Sequence, residues 1–279
     1  KLMHQENGHC FVDFACSAPY VQIDMHPPDK ESYLDAIFFS PHKFIGGPGS
    51  SGVLIFNKDL YKNNIPDNVG GGTVTWTNPW GAHEYIKEIE IKEDGGTPGI
   101  LQNIKIALAF KLKEKFGFKN IIEREREQVS IIFKHLEGIP NLKILASEQR
   151  NRLPVFSFVI TDLHYNLGVK LLNDFFGIQS RGGCSCAGTY GHYLLDVNQL
   201  ESKQISKKIG DNSLEKPGWI RISVHPTTPN SEIYFICNSI KALAENFTIW
   251  REDYKFDEGK DGFFHKSEQT KTNKNLIFF

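Results

Sequence analysis

Between residues 37 and 56 an apolar stretch, Ile37-Phe38-Phe39, leads through Ser40-Pro41-His42-Lys43 and a glycine-rich turn, Gly46 to Gly52, into a second one, Val53-Leu54-Ile55-Phe56. No other stretch limits the fold so strongly. Apolar runs this short, bounded by turn residues, read as buried strands. The lysine therefore stands at a strand mouth beside hydroxyl and imidazole groups. A lysine there has two uses: it forms a Schiff base once desolvation disfavours its charged form, or it binds an anion. The rest of the chain has to choose between them.

The neighbouring segments supply an α/β setting. Cys10 to Ala15 reads as a short buried strand with Asp13 near its end, where a carboxylate needs a cation or donor or else caps the following turn. A short helical stretch is expected near Lys30 to Leu34, then strands at Ala36 to Ser40 and Val53 to Asn57. Strand, crossover and strand in so few residues fit a layer whose sites lie at strand ends. Residues 58–95 read as irregular, with Gly70-Gly71-Gly72 as a flexible turn or a close-approach point and an aromatic stretch from Trp76 to Trp80. Gly95-Gly96-Thr97-Pro98 places Thr97 as helix cap and Pro98 as first helical residue. That helix carries Ile104, Leu108, Leu112 and Phe116 at helical spacing.

A second helix over about 119–137 turns Ile122, Val129, Ile132, Phe133 and Leu136 to a core, with Glu123-Arg124-Glu125-Arg126-Glu127 as its solvated side. The domain change falls here. Strands follow at Leu142 to Ala146 and Val155 to Ile160, and a helix at Leu167 to Phe176 ends at Gly177. Then comes Arg181-Gly182-Gly183-Cys184-Ser185-Cys186-Ala187-Gly188, a mobile loop presenting thiols or half of a metal site with His192 nearby. In Trp219 to Val224, strict alternation sets Arg221 opposite Ile220 and Ile222. Arg221 is thus either a surface arginine or a two-point clamp for a carboxylate. A last helix begins after Thr228-Pro229 with Ile233, Ile236, Ile240 and Leu243, and beyond Trp250 a peripheral or partly disordered tail is expected, ending Asn275-Leu276-Ile277-Phe278-Phe279.

Composition narrows the class. At 279 residues and 40% hydrophobic content the chain can bury one or two cores, and its net charge of −1 gives no general attraction to nucleic acid or anionic membrane. No apolar run approaches the roughly 20 residues of a membrane helix, and no signal peptide is visible. Five cysteines do not read as a disulfide framework, so reduced thiols in a cytoplasmic protein are expected. A first residue of lysine, with strand signals arriving at once, suggests a fragment of a longer protein.

Asp13 at a strand end, the Ser-x-His-Lys motif at Lys43, the cysteine loop and Arg221 together resemble class V aminotransferases. These are the branch of fold type I pyridoxal-phosphate enzymes that includes cysteine desulfurases and selenocysteine lyases. The resemblance covers about residues 10–247. It implies the later part of a large-domain mixed, mostly parallel sheet over residues 1–117, a smaller α+β domain over 118–250 and a polar extension over 251–279.

By the same resemblance, Lys43 would hold pyridoxal 5'-phosphate, His42 and Ser40 would contact its phosphate, and Asp13 would pair with the pyridinium nitrogen. Thr97 matches a threonine that reaches the phosphate of the partner subunit of a homodimer. Arg221 matches the arginine that holds the substrate carboxylate. Cys186, in the Arg-x-Gly-x-x-Cys-Ala pattern from Arg181, matches the nucleophilic cysteine that takes sulfur from L-cysteine, or selenium from L-selenocysteine, and releases alanine. A sulfur-acceptor protein is an implied partner; nucleic acid, membrane and metal are not.

Three departures from the family stand out. Cys16 occupies the position of a glutamine that touches the cofactor's phenolic oxygen. Two cysteines, Cys184 and Cys186, replace one. The segment that carries the phosphate loop and the ring-stacking histidine is not found before Asp13. Transamination or lyase chemistry on another amino acid, or a truncated non-catalytic relative, are the alternatives these departures leave open.

Overall fold

The computed structural model describes residues 1–209, 214, 216–257, 259 and 262–267. The chain divides into two compact units, Lys1–Ile122 and Glu123–Phe279.

The first unit opens with a short helix, α1 (Leu2–Gln5), and is built on a three-stranded sheet of β1 (Phe11–Asp13), β2 (Ala36–Phe39) and β3 (Val53–Phe56) in that order. β1 and β2 are parallel, with Asp13 opposite Phe38; β2 and β3 are antiparallel, with Phe38 opposite Leu54. One face of this mixed sheet is covered. Ile37 and Phe39 pack there with Ala18, Phe44 and Ala109, and with the partly buried Val12, Val53 and Phe110.

Three expectations fail in this unit. Residues 30–34 form turns, because the Asp29 carboxylate accepts from Glu31 N (3.1 Å) and Ser32 Oγ (3.0 Å) and so competes with helical bonding. Residues 58–95 are not irregular: they hold a 3-10 turn (Lys58–Leu60), a hairpin of β4 (Val74–Thr77) and β5 (His83–Tyr85), and a short helix α2 (Ile89–Lys92). Gly70-Gly71-Gly72 lead into a turn that lies against the backbone of residues 95–96. Gly96 N donates to Gly71 O (2.8 Å), and a Cβ on Gly70 would lie 3.3 Å from Gly95 Cα.

Helix α3 (Ile100–Phe116) starts later than Thr97-Pro98 suggests, with Gly99 as its cap. Ile100 N bonds Pro98 O (2.9 Å) and the first helical bond runs from Asn103 N to Gly99 O (2.9 Å), which leaves Thr97 in an exposed bend. The helix buries Ala109 and packs Phe110 on Phe39 and Phe44, with ring centroids 5.7 and 5.1 Å apart. Its Ile104, Leu108 and Phe116 are exposed.

The second unit carries a four-stranded antiparallel sheet. Its strands are β6 (Leu142–Ile144), β7 (Val155–Ile160), β8 (Arg181–Gly183) and β9 (Trp219–Ser223), in the order β6-β7-β9-β8. Around it run α4 (Phe118–Leu136, which enters from the first unit), α5 (Tyr165–Phe176), α6 (Gly188–Leu194), α7 (Gln199–Ile209) and α8 (Asn230–Trp250). Phe156, Phe158, Ile160, Ile220 and Ile222 face a core completed by Val129, Ile132, Phe133 and Leu136 of α4, Leu167, Leu171 and Leu172 of α5, and Ile233, Ile240, Leu243 and Phe247 of α8.

Two further expectations give way here. The charged run of α4 is not all solvated: Glu125 is buried, and Arg124 donates to Pro226 O (3.3 Å) and Thr228 O. As far as Ser267 the described residues of the tail continue the fold, as β10 (Tyr254–Asp257) and β11 (Gly262–His265) form an antiparallel hairpin. Tyr254 is buried with its hydroxyl on Asp174 (2.8 Å), and Phe263 packs against the core. Asn275 to Phe279 lie outside the described residues. Among the described residues no helix is long and apolar enough to cross a membrane.

Candidate functional site

The residues singled out in the sequence fall into two clusters, one in each unit. In the first unit, β1 and β2 run parallel, so their carboxyl ends share one edge of the sheet. Asp13 closes β1, and Ser40 follows β2. Both line a cleft of about 350 Å³ together with Ala15, Phe38, Phe39, Gly52, Val53 and Leu54.

Pro41–Lys43 then form one 3-10 turn, closed by Lys43 N on Ser40 O and Phe44 N on Pro41 O (both 3.0 Å). Proline suits its first position because its φ is already fixed and its missing N–H has no partner there. The buried Pro41 and Phe44 pin the turn and leave His42 and Lys43 exposed between them. The desolvation invoked to activate Lys43 is thus not supplied by the residues described around it.

The donor set still suits a phosphorylated pyridine aldehyde. Asp13 Oδ1 accepts from Ala15 N (2.7 Å), and no ion pair among the described residues engages the carboxylate, so Oδ2 is left for a cation. Lys43 offers an amine, Ser40 and His42 offer phosphate donors, and Ser50 Oγ in the glycine turn is buried without a hydrogen-bond partner. Thr97 lies elsewhere, in its bend, with no hydrogen bond among the described residues joining it to this turn. Cys16 is exposed, three residues beyond Asp13.

The second cluster is built on β8 and β9. Arg181 lies directly opposite Arg221, which in turn lies opposite Ser157 of β7. The row Ser157-Arg221-Arg181 is therefore on the sheet face away from Ile220 and Ile222. No acidic side chain pairs with either arginine among the described residues, and Arg221 Nε is buried without a hydrogen-bond partner. Like charges directly opposite on neighbouring strands are destabilising, so this row favours an anion.

β8 ends in a tight turn over Cys184–Ala187, closed by Ala187 N on Cys184 O (2.9 Å). Both central residues are left-handed without being glycine, Ser185 at φ 51° and Cys186 at φ 66°. Each such residue costs about 1–2 kcal/mol, the kind of backbone strain that collects at functional sites. The expected mobile loop is instead a hydrogen-bonded strand end and turn running into α6.

The two thiols differ. Cys186 is exposed and accepts a hydrogen bond from Arg181 Nη2 at 2.9 Å. Cys184 is half-buried, its Sγ donates to Pro217 O (3.2 Å), and burial pushes its thiol up from the ordinary range. All five cysteines are free. His192, the residue weighed as a metal ligand, instead bonds Gly188 O (2.8 Å) and Ser202 Oγ (2.9 Å). Among the described residues no cluster of three or more His, Cys, Asp or Glu side chains is placed to hold a metal ion.

Sequence reasoning quoted Arg181 in a motif but gave it no role. Its position beside Cys186 and opposite Arg221 follows from strand register, which one strand's sequence does not reveal.

Comparison with known proteins adds the following. The family description "Aminotransferase class-V" matches residues 1–235. A probable cysteine desulfurase of Staphylococcus epidermidis is 31% identical over 176 residues, which are 63% of this chain and 41% of that protein. The chain therefore spans about two fifths of the length of the curated relatives it matches. Among solved structures, an apo cysteine desulfurase from Thermococcus onnurineus superposes with a TM-score of 0.67 at 24% identity, covering 87% of this chain and 54% of its own. A cysteine desulfurase from Escherichia coli superposes equally well, at 0.67, with 21% identity and coverage of 88% and 53%. At those identities the likeness is one of fold, that of fold type I.

Proposed function

The chain belongs to the class-V aminotransferase family, and on that premise we propose that the protein is a pyridoxal-phosphate enzyme with cysteine desulfurase or selenocysteine lyase activity. One observation supports the reading above the others: Cys186 is exposed on a strained turn against Arg181, at the end of the strand that sets Arg181 opposite Arg221. A nucleophilic sulfur beside unneutralised guanidinium groups suits attack on an amino acid that carries a carboxylate.

Lys43 would hold the cofactor's aldehyde, Asp13 its ring nitrogen, and Ser40 and His42 its phosphate. When bound, pyridoxal phosphate supplies an electron sink for the substrate α-carbon. Within that reading Lys43 Nζ takes the α-proton. Arg221 holds the carboxylate by its two-point fork. The Cys186 sulfur attacks the sulfur of L-cysteine. An S–S bond forms as the substrate C–S bond breaks, and the electron pair of that bond remains on the substrate carbon. Protonation of that carbon, with return of the proton from Lys43 Nζ to the α-carbon, gives alanine, and Cys186 is left as a persulfide. A reduced, cytoplasmic setting, a homodimer in which Thr97 serves the partner's phosphate, and a thiol acceptor for the sulfur belong to the same proposal.

A second reading keeps the cofactor and changes the reaction. It rests on Cys16, which puts a thiol where the family has an amide side chain. The two readings part in one assay. Full-length protein with pyridoxal phosphate, L-cysteine and a thiol reductant should form alanine and sulfide, and Cys186→Ala should abolish sulfide. If neither product forms, and Cys186→Ala leaves the turnover of every amino acid unchanged, the desulfurase reading is wrong.

A further inference from the structure

We propose that Arg181 is a positioning residue for Cys186: it fixes the sulfur at the turn and, with Arg221 across the strand, draws anionic reactants to it. This inference rests on reading Cys186 as the nucleophile, but its test needs neither cofactor nor turnover. The two readings can therefore fail separately.

Three independent features carry it. Arg181 Nη2 is 2.9 Å from Cys186 Sγ. The left-handed pair Ser185 and Cys186 turns the chain back after β8, so the thiol meets a guanidinium from its own strand. Arg181 and Arg221 are directly opposed, with no acid among the described residues paired to either and Arg221 Nε buried and unpartnered. Near the turn Cys184 bonds Pro217 O and His192 bonds Gly188 O and Ser202, while Ser185 Oγ is buried without a hydrogen-bond partner and is a neutral hydroxyl. Cys186 is thus the one anion-capable group that the described contacts offer to Arg181.

A carboxylate-bearing electrophile should therefore reach Cys186 in preference to a neutral electrophile of the same chemistry. Two alkylating reagents make that comparison. In full-length protein the modification of Cys186 by iodoacetate and by iodoacetamide is followed by peptide mass spectrometry. In both reactions the sulfur displaces iodide. The exposed Cys16 of the first unit serves as reference on the same molecules.

The rate ratio of iodoacetate to iodoacetamide should be about tenfold higher at Cys186 than at Cys16, from two cations at close range. Added salt should shrink it. Arg181→Gln should bring the Cys186 ratio well down toward that of Cys16, with Arg221 left to hold the remainder, whereas Arg181→Lys, which keeps the charge and loses the fork, should retain most of it. An unchanged ratio in Arg181→Gln, an equal loss in both variants, or a wild-type ratio indifferent to salt would each overturn the proposal. The salt titration uses the unaltered protein, so the outcome does not depend on the variants folding.

Discussion

The two sheets of the molecule are patterned for different surroundings. In the second unit β7 alternates along its whole length and β9 does so from Ile220 onward. Phe156, Phe158, Ile160, Ile220 and Ile222 are buried on one face, while Ser157, Arg221 and Arg181 stand on the other. An antiparallel sheet can leave a polar face to water. The first unit's sheet is apolar on both sides. Ile37 and Phe39 are covered, but Phe11 and Leu54 on the opposite face are 59% and 62% exposed. Helix α3 repeats the contrast, with Leu101 74% exposed on a stripe that also bares Ile100, Ile104 and Leu108. Parallel pairing of the β1–β2 kind normally goes with burial on both faces. The second unit closes its core with its own helices, whereas the first carries core-like residues on a surface that the described chain leaves bare.

Truncations on the two sheets test this contrast most directly. Phe158→Ala removes a fully buried ring and should lower stability by about 3–5 kcal/mol, read by denaturant unfolding. Leu54→Ala on the bare face should change it by no more than about 0.5 kcal/mol. A cost at Leu54 comparable to that at Phe158 would break the comparison, because it would mean that the face is covered in solution.

Glycine substitutions bring the comparison to the two functional turns. A Cβ on Gly47 would stand 1.8 Å from Pro41 O and 2.9 Å from Pro41 C. These are backbone atoms of the lysine turn, and they cannot move aside as a side chain can. Gly47→Ala should cost about 1–3 kcal/mol and displace Lys43, with loss of the cofactor fixed by borohydride reduction. Gly188 opens α6 just after the cysteine turn; a methyl group placed there would meet nothing within 4 Å, and its backbone is not left-handed. Gly188→Ala should be neutral or slightly stabilising. Equal losses at both glycines would mean that the cysteine turn is as tightly constrained as the lysine turn.

A smaller effect separates the two thiols of the cysteine turn. Cys184 is half-buried, hydrogen-bonded to Pro217 O and shifted up by its burial. Its reaction with neutral iodoacetamide should be about tenfold slower than that of Cys186, since the thiolate is the reactive form. The difference should vanish in denaturant. Equal rates in the native protein would show that the turn presents both sulfurs.

How much of this was legible follows from the range of the interactions involved. The strands at Ala36–Phe39, Val155–Ile160 and Trp219–Ser223 and the helices α4, α5 and α8 are set by periodicity within one segment, and they could be read. The face of Arg221 followed from alternation alone. The turns at 30–34 and the start of α3 were misread because local bonds, Asp29 to Glu31 and Ile100 to Pro98, outweigh the propensities of their residues. The β10–β11 hairpin was hidden in a polar stretch, because Tyr254 and Phe263 gain their burial from a helix some 80 residues earlier. At the candidate site, residue types and motif spacing named Lys43, Asp13 and Cys186. The opposition of Arg181 and Arg221 depends on pairing between distant strands, and the left-handed pair at 185–186 carries no glycine to announce it.

The smallest expected effect lies at the amino-terminal edge of the first unit, where pH tests its tethering. Asp35 is buried and accepts from Cys10 N (2.8 Å), with His4 Nε2 at 2.8 Å and His9 Nδ1 at 3.5 Å. His4 Nδ1 also faces Glu31 O at 2.9 Å. With an acceptor at each ring nitrogen, the doubly protonated imidazolium satisfies both. The Glu31 carbonyl first, and the Asp35 carboxylate next, raise His4 above its ordinary 6.5. Burial pushes Asp35 up, but the Cys10 amide and the two histidines together bring it below 3.8.

The signs then follow from linkage. The His4 contribution is complete below 6.5 and is lost as pH rises through its raised folded value. The Asp35 contribution is present above 3.8 and is lost as pH falls through its lowered folded value. The first unit should therefore be most stable between about pH 4 and pH 6.5, with its melting temperature falling by a few degrees as pH rises from about 6 to about 8. The second unit contributes the opposite slope at His225, which burial lowers, so its stability is lost on acidification. His4→Gln should flatten the alkaline fall and also weaken the acid limb, where the Cys10 amide still holds Asp35 down. If the fall persists unchanged in His4→Gln, the pH dependence belongs elsewhere and the His4–Asp35 pair is not what tethers this edge.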